Sequence, residues 1–420
     1  MSAHIKRPPE KKGVVLFSGM LLGVGGAERL LLEEADYFRG MGFDTHVVTF
    51  DFREQVLFNQ NYQVNIEQVG RKPSQGNLLS KVKTAAINIV SLRRKLRQIR
   101  PDIIISSSAQ ACVYLYFATL FTGFPYVTYV HGSIFWFHTD LMKYSRIHRQ
   151  VFDEIRDSVP GHREFIPPKR PKVGWLSRVV NEIAAVTVYH AMQRARKVFV
   201  HSEQMKWEVG KLYGKEAVVV KGAFPGDITS YEPKQDIKAR LGLNGQRMIL
   251  NINRLEARKR VDMLIRAYKK LSDRVGNTIL IIGGVGEDEE KLKSLAAQLD
   301  DRDSIRFVGY IREEELWDYI AACDLFVHPN WADYAIAAYE PLALQKKVVW
   351  STEMEIDEHL ADNGYIFVAQ PTADDFARVM EEALTTEVTQ TRTDDLSVYT
   401  WDNFCKRIFT EIQTYLDRRN

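Results

Sequence analysis

GVVLFSGMLLGVGGAERLLLEEADYFRG, residues 13–40, opens on an apolar run ending in glycine and continues into a helical stretch rich in Ala, Glu and Leu. A short β-branched run followed by a helix is one βα unit, and whether it repeats decides the fold. It does repeat. THVVTFD (Thr45–Asp51), a helix rich in Arg and Lys (Leu78–Arg100), DIIISSS (Asp102–Ser108), a helix near Cys112–Phe121 and PYVTYVHGS (Pro125–Ser133) follow in order. After a long insertion, KVFVHS (Lys197–Ser202) and AVVVKG (Ala217–Gly222) add two strands. GAFPGDITSYEP (Gly222–Pro233) reads as a linker because Gly and Pro punctuate it. The pattern then restarts with RMILNINR (Arg247–Arg254), TILIIGG (Thr278–Gly284), IRFVGY (Ile305–Tyr310), LFVHP (Leu325–Pro329), KVVWS (Lys347–Ser351) and YIFVA (Tyr365–Ala369), with helices between most of them. The alternation predicts two doubly wound α/β domains, each with a parallel sheet covered on both faces.

The bulk figures agree. The chain has 420 residues, 45% hydrophobic and 26% charged, which excludes intrinsic disorder and collagen-like repeats and leaves room for two or three domains. Cys112, Cys323 and Cys405 are odd in number and far apart, so neither a disulfide framework nor a zinc site is expected, and a reducing compartment fits. MSAHIKRPPEKKG has no apolar run behind it, so no signal peptide is expected. The longest apolar stretch, Ala109–Val130, is broken by Gly123 and Pro125 and reads as a helix and a strand rather than a membrane span. The formal net charge of +3 hides a polarity: residues 1–225 hold 32 Lys+Arg against 19 Asp+Glu, and the remainder 25 against 35. Opposite signs suggest different electrostatic duties for the two halves.

In doubly wound domains ligands sit beyond the carboxyl ends of the strands, so the residues just after each apolar run carry the chemistry. GVGGAER (Gly23–Arg29) brings glycines and a helix start together, which suits close backbone approach and anions. It also reads as a plain tight turn, or as a dinucleotide fingerprint spoiled by Glu28 where glycine is required. His131, at the mouth of a central strand, suits donation to sugar hydroxyls or stabilisation of charge, against the plainer reading of a satisfied structural histidine. Arg254 and Lys259 lie across a strand-to-helix turn where both can meet an anion such as a diphosphate, against the reading of a solvated basic run. The carboxylates of IIGGVGEDEEKL (Ile281–Leu292) read as helix-start charges. Glu340, in WADYAIAAYEPLA (Trp331–Ala343), suits vicinal diol hydroxyls.

GGAE after the first strand, His131 after a central strand, R-L-x-x-x-K opening the second half, then GGVGE, FVGY and the Y-E-P-L-A helix resemble, in that order, a family-4 glycosyltransferase of the GT-B fold. The resemblance covers nearly the whole chain. It implies two Rossmann-like domains facing each other across a cleft: 1–224 on the acceptor side, with an aromatic and basic insertion around 134–176, 225–398 on the nucleotide-sugar donor side, and a helix at 399–420, around WDNFCKRI, that returns to the first domain. It implies a retaining transfer from a UDP- or GDP-sugar, with the nucleotide sugar as co-substrate and neither cofactor nor metal. By the same resemblance Arg254 and Lys259 hold the diphosphate, His131 lies near the transferred sugar, Gly25, Gly26 and Gly284 line the donor, Tyr310 lies near the base and Glu340 binds the ribose. Asp301-Arg302-Asp303 matches D-x-D but precedes a strand, the wrong side for a site. One departure stands out: the family's first glutamate, eight residues before Glu340, falls on Ala332. Either Asp333 takes its role with a one-residue shift, or backbone groups of Asp333, Ala335 and Ile336 do.

Between His131 and Lys197, Phe135 and Trp136 are interleaved with Lys143, Arg146 and Arg149, and SLRRKLRQIR (Ser91–Arg100) adds five charges in the same half. Aromatic and basic residues together suit an anionic membrane surface, against the reading of core aromatics and a solvated basic face. The expectation is a cytoplasmic protein, peripheral on the inner face of the membrane, acting on a lipid-linked saccharide. Nothing resembles a nucleic-acid reader. The alternatives are a nucleotide-sugar epimerase of the same fold and a non-catalytic nucleotide-sugar-binding protein.

Overall fold

The structure is a computed structural model that describes residues 12–22, 25–53, 62, 64–74, 76–132, 145, 148, 154, 156–158, 174–243, 245–300, 303–331, 334, 336–357, 360, 364–388 and 395–417. The chain divides into two compact units, Met1–Ile155, Lys169–Lys221 and Asp402–Asn420 on one side and Arg156–Pro168 with Gly222–Trp401 on the other.

The first unit carries β1 (Gly13–Ser18), α1 (Gly26–Gly40), β2 (Asp44–Thr49), β3 (Asn65–Gln68), α2 (Leu78–Ile99), β4 (Ile103–Ser106), α3 (Ala109–Ala118), β5 (Tyr126–Val130), α4 (Trp175–Arg194), β6 (Val198–Val200), α5 (Glu203–Tyr213) and β7 (Val218–Val219). Its seven strands are parallel, in the order β3-β2-β1-β4-β5-β6-β7. Every residue of β1, β4 and β5 is buried, as a sheet covered on both faces requires. Short polar residues start the helices: the side chains of Asn77, Ser108 and Ser202 accept from the backbone N–H three residues on.

The second unit carries α6 (Ile237–Arg240), β8 (Arg247–Ile252), α7 (Val261–Ser272), β9 (Thr278–Gly283), α8 (Glu289–Leu299), β10 (Ile305–Gly309), α9 (Glu313–Ala322), β11 (Leu325–His328), α10 (Ile336–Ala343), β12 (Val348–Ser351), β13 (Ile366–Ala369) and α11 (Ala373–Thr385). Its strand order, β10-β9-β8-β11-β12-β13, repeats that of the first six strands of the other unit. One core packs beneath α9 and α10 around Phe326, Tyr339 and Trp350, and the other beneath α7 and α11 around Tyr268, Val327 and Phe376. The last helix, α12 (Trp401–Leu416), packs in the first unit, with Phe409 against Phe38 and Phe43 and Lys197 bonded to Glu411 at 2.8 Å.

Two segments carry more structure than their sequence shows. Gly222–Pro233, which follows the division between the units at Lys221, is packed: Phe224 and Ile228 are buried in the second core and Gly226–Ser230 forms a turn of 3-10 helix. Part of the charge on the basic helix α2 is engaged. Arg93 donates to the carbonyls of Phe117, Ala118 and Leu120 at the end of α3, where the helix dipole favours a cation, and Lys95 pairs with Glu67. Among the described residues no helix is long and apolar enough to cross a membrane.

Candidate functional site

In each unit the strand order reverses once, between β1 and β4 and between β8 and β11, and a doubly wound sheet opens its binding crevice at that point. In the first unit a cavity of about 390 Å³ lies there, beyond the carboxyl ends of β1, β4 and β5. Met20, Leu21, Leu31, Tyr129, Val130 and Val188 supply apolar walls, and Glu28, Ser107, Gln110 and His131 bring polar groups into it. Two helix starts converge on it: Ala27 and Glu28 in the first turn of α1, and Ala109 and Gln110 in that of α3. Gly25 caps α1 with extended backbone and its carbonyl accepts from Arg29 at 3.0 Å, while Gly26 opens the helix.

His131 hydrogen-bonds His201, Nδ1 to Nε2 at 2.8 Å, and stacks on Tyr129 with ring centroids 5.2 Å apart. Burial, with His201 in support, pushes its pKa down to about 3. His131 is therefore neutral at physiological pH, and the sequence reading of it as a stabiliser of charge narrows to hydrogen bonding. With a carboxylate on Glu28 and a neutral imidazole, this cavity offers polar contacts and apolar walls to an uncharged polyhydroxyl compound, and among the described residues lining it there is no cation for a phosphate.

The second unit gathers the cations. NRLEARKR resolves into four arginine and lysine side chains with four different surroundings. Arg254 is 59% exposed and 3.8 Å from Glu256, and Arg258 is bonded to Glu256 at 2.6 Å. Arg260 is buried in a bidentate pair with Glu353 that Ser351 also touches. Lys259 ends a 3-10 turn, Ala257–Lys259, and lies close enough to His328, at the end of β11, to help burial hold that imidazole well below its usual pKa. The carbonyl of Arg258 accepts from the backbone N–H of Trp331 at 3.0 Å, tying the turn after β8 to the segment after β11.

His328 is buried with neither ring nitrogen hydrogen-bonded among the described residues, and the same holds for both side-chain atoms of Asn330 and for Nδ2 of Asn253. Buried polar atoms are nearly always bonded, so orphans collected at the ends of β8 and β11 mark a place where a polar ligand or water belongs. Sequence reasoning missed His328 and Asn330, although the rule that found His131, residues just beyond an apolar run, applies to LFVHPN equally.

Gly284 performs a packing role. Its φ is +118°, and a Cβ there would fall 1.8 Å from the Asn253 carbonyl oxygen. Asn253 N–H donates to Gly283, Leu255 N–H to Val285, and Gly284 N–H to Gly309, so the loops after β8, β9 and β10 are laced by backbone bonds. Tyr310, the next residue, is half exposed just after the edge strand β10. Glu340 is buried on α10 and accepts from the Trp317 indole at 3.5 Å, and Ile336 opens that helix. Asp333 and Ala335 lie outside the described residues, as do Phe135, Trp136, Lys143, Arg146, Arg149 and the first two residues of Asp301-Arg302-Asp303. His131 thus belongs to the first unit and Arg254, Lys259 and Glu340 to the second.

A family model described as Glycosyltransferase Family 4 matches residues 24–221, and one described as Glycosyl transferases group 1 matches residues 233–395. The chain belongs to the family-4 glycosyltransferases of the GT-B fold. Within the family, it is 27% identical over 246 residues to an uncharacterized glycosyltransferase of Methanocaldococcus jannaschii, covering 55% of this chain and 62% of that protein. It is 36% identical over 110 residues to a GDP-mannose-dependent alpha-(1-6)-phosphatidylinositol monomannoside mannosyltransferase of Mycolicibacterium smegmatis, covering 25% of this chain and 29% of that one. The chain thus spans less than two thirds of the length of these curated relatives. The crystal structure of Anabaena HepE in complex with UDP and glucose shares the fold, with a TM-score of 0.68 at 16% identity over 96% of this chain and 99% of that one.

Proposed function

We propose that the chain is a retaining glycosyltransferase that takes its sugar from a nucleoside-diphosphate sugar and needs no resident metal ion. The observation that carries this reading is the turn after β8, tied by the Arg258 carbonyl to Trp331 after β11, whose cations Lys259 and Arg258 act on the buried His328 at the strand reversal of the second unit. Breaking the bond from the sugar C1 to the diphosphate oxygen leaves negative charge on that oxygen. A lysine ammonium fixed there, with Arg254 on the same turn, stabilises that charge where it develops. The new bond forms between C1 and a hydroxyl oxygen of the acceptor, and the hydroxyl proton leaves with the departing nucleoside diphosphate.

The amphipathic cavity of the first unit, with its carboxylate and neutral imidazole, suits the saccharide end of the acceptor. We assign the acceptor to the lipid-linked class, at an anionic membrane surface. Support comes from an apolar stripe on α4, where Trp175, Leu176, Val179, Ile183 and Val186 are all exposed. The Mycolicibacterium relative is named for GDP-mannose and the Anabaena structure holds UDP and glucose, so both nucleotides belong in the test.

A thermal-shift screen against UDP, GDP and their sugars identifies the donor. Turnover with that donor and a lipid-linked acceptor fraction then tests the reaction: nucleotide is released only when acceptor is present. Donor isomerisation without transfer indicates an epimerase, and binding without turnover a non-catalytic protein. Lys259→Ala is expected to lower kcat by on the order of 10²-fold or more while the fold persists. A wild-type rate in that variant removes Lys259 from the phosphate site.

A further inference from the structure

β5 and β6 pair in parallel with Val130 opposite Val200, so the next residue of each strand, His131 and His201, leave the sheet side by side. The rings lie with centroids 5.1 Å apart, joined from Nδ1 of His131 to Nε2 of His201 at 2.8 Å. Nδ1 of His201 lies 2.9 Å from the carbonyl oxygen of Val220, the residue that follows β7. His131 lines the cavity, whereas His201 is 2% exposed and sits behind it. Tyr129 stacks on the face of His131 and Phe404 lies 6.3 Å from His201, so aromatic neighbours set the ring planes and the ring edges are left for hydrogen bonds.

With both rings neutral, this geometry dictates where the protons are. A carbonyl oxygen only accepts, so Nδ1 of His201 carries hydrogen. A neutral imidazole has one donor and one acceptor, which leaves Nε2 of His201 bare and able only to accept. Nδ1 of His131 must then donate to it, and Nε2 of His131 is left unprotonated. The charge state agrees: burial and the facing His201 keep the His131 ring neutral, outweighing the opposing pull of the Ser107 backbone.

We propose that His201 is a positioning residue: anchored on the Val220 carbonyl, it locks His131 in the Nδ1–H tautomer, so that Nε2 of His131 accepts a hydrogen bond from a saccharide hydroxyl in the cavity. Only the identity of that hydroxyl as a saccharide's rests on the proposed function; the tautomer does not. His131 is thereby an acceptor, and the cavity selects for a ligand that presents O–H at this point.

The test is ring nitrogen NMR on the full chain labelled with ¹⁵N-histidine, signals being assigned by substitution. At pH 7.5 His131 is expected to show a pyrrole-like Nδ1 and a pyridine-like Nε2, and His201 the same. In His201→Phe, which keeps the ring volume and removes the acceptor, the His131 pattern should shift toward the Nε2–H form. In His201→Gln, whose amide can accept from His131 and donate to Val220, the wild-type pattern should return. A protonated Nε2 in the wild type, or a pattern indifferent to His201→Phe in folded protein, overturns the proposal. Should His201→Phe fail to fold, the wild-type spectrum and His201→Gln still decide it. With donor and acceptor in hand, kcat/KM should fall about tenfold in His201→Phe, the worth of one hydrogen bond, and recover in His201→Gln. The spectrum decides the tautomer whether or not the protein transfers sugar, so the two readings fail separately.

Discussion

Glu34 lies on the buried side of α1, 2% exposed, and accepts a 2.6 Å hydrogen bond from the hydroxyl of Tyr129, a wall of the first-unit cavity. Burial raises its carboxyl pKa to about 8, and the tyrosine opposes this only in part. Between pH 4.5 and 8 the folded protein therefore holds a proton that the unfolded chain has released, so stability falls as pH rises. His131, lowered to about 3, works in the opposite sense but only below its ordinary pKa of 6.5, so it does not offset Glu34 in the window from pH 6.5 to 8. Glu34→Gln cannot ionise, and its stability relative to wild type should rise by roughly 1–2 kcal/mol across that window, a few degrees in Tm. Parallel Tm curves for the two proteins would refute the assignment. Residues of this kind explain what the sequence shows and hides. His131 was legible because it stands directly beyond an apolar run. Glu34 was not, since an acid in an Ala/Glu/Leu-rich helix reads as solvent-facing; His201 also stands directly beyond an apolar run, but its pairing with His131 was hidden, since that is set by the register of β5 on β6.

At the scale of elements, the apolar runs predicted every strand except β3 to within a few residues. Asn65–Gln68 escaped because it is a polar edge strand, half exposed, with no apolar run to betray it. The fate of NRLEARKR was legible only in part: the turn was placed correctly, but the separation of Arg258 and Arg260 into ion pairs depends on Glu256 and Glu353, one of them 93 residues away from Arg260. IIGGVGE was legible as a strand end, yet the need for glycine arises from contact between loops. A Cβ on Gly284 meets the Asn253 carbonyl and also has to occupy a left-handed φ, so Gly284→Ala is expected to cost about 2 kcal/mol or more. Gly276→Ala, with open space around it and no positive φ, is the control and should stay within about 0.5 kcal/mol of wild type. Equal denaturation midpoints for the two variants would show that the loops after β8 and β9 yield freely, against the lacing that holds Lys259 in its turn.

For the whole molecule, dividing the charges by the two units sharpens the polarity seen along the sequence: the first holds 34 Lys+Arg against 20 Asp+Glu, and the second 23 against 34. Part of the positive excess is internal, since Arg93 and Arg194 both serve carbonyls at the end of α3. Arg94, Arg97 and Arg100 are exposed on or just after α2, and Arg178 is exposed on α4 beside the apolar stripe. Exposed charges near an anionic surface contribute on the order of 1 kcal/mol each and act over about a Debye length, whereas the apolar stripe acts irrespective of salt. The two contributions are therefore separable by flotation with vesicles containing anionic lipid. Wild-type protein should float at low salt and partly release at high salt. Ile183→Glu, at an exposed position that leaves the core intact, should weaken flotation at both salts, and the binding left to that variant should be more completely salt-released than in wild type. A protein that stays with the soluble fraction at low salt would sink the membrane assignment while leaving the donor chemistry of the second unit untouched, because Lys259 and His328 owe their arrangement to β8 and β11 and not to α4.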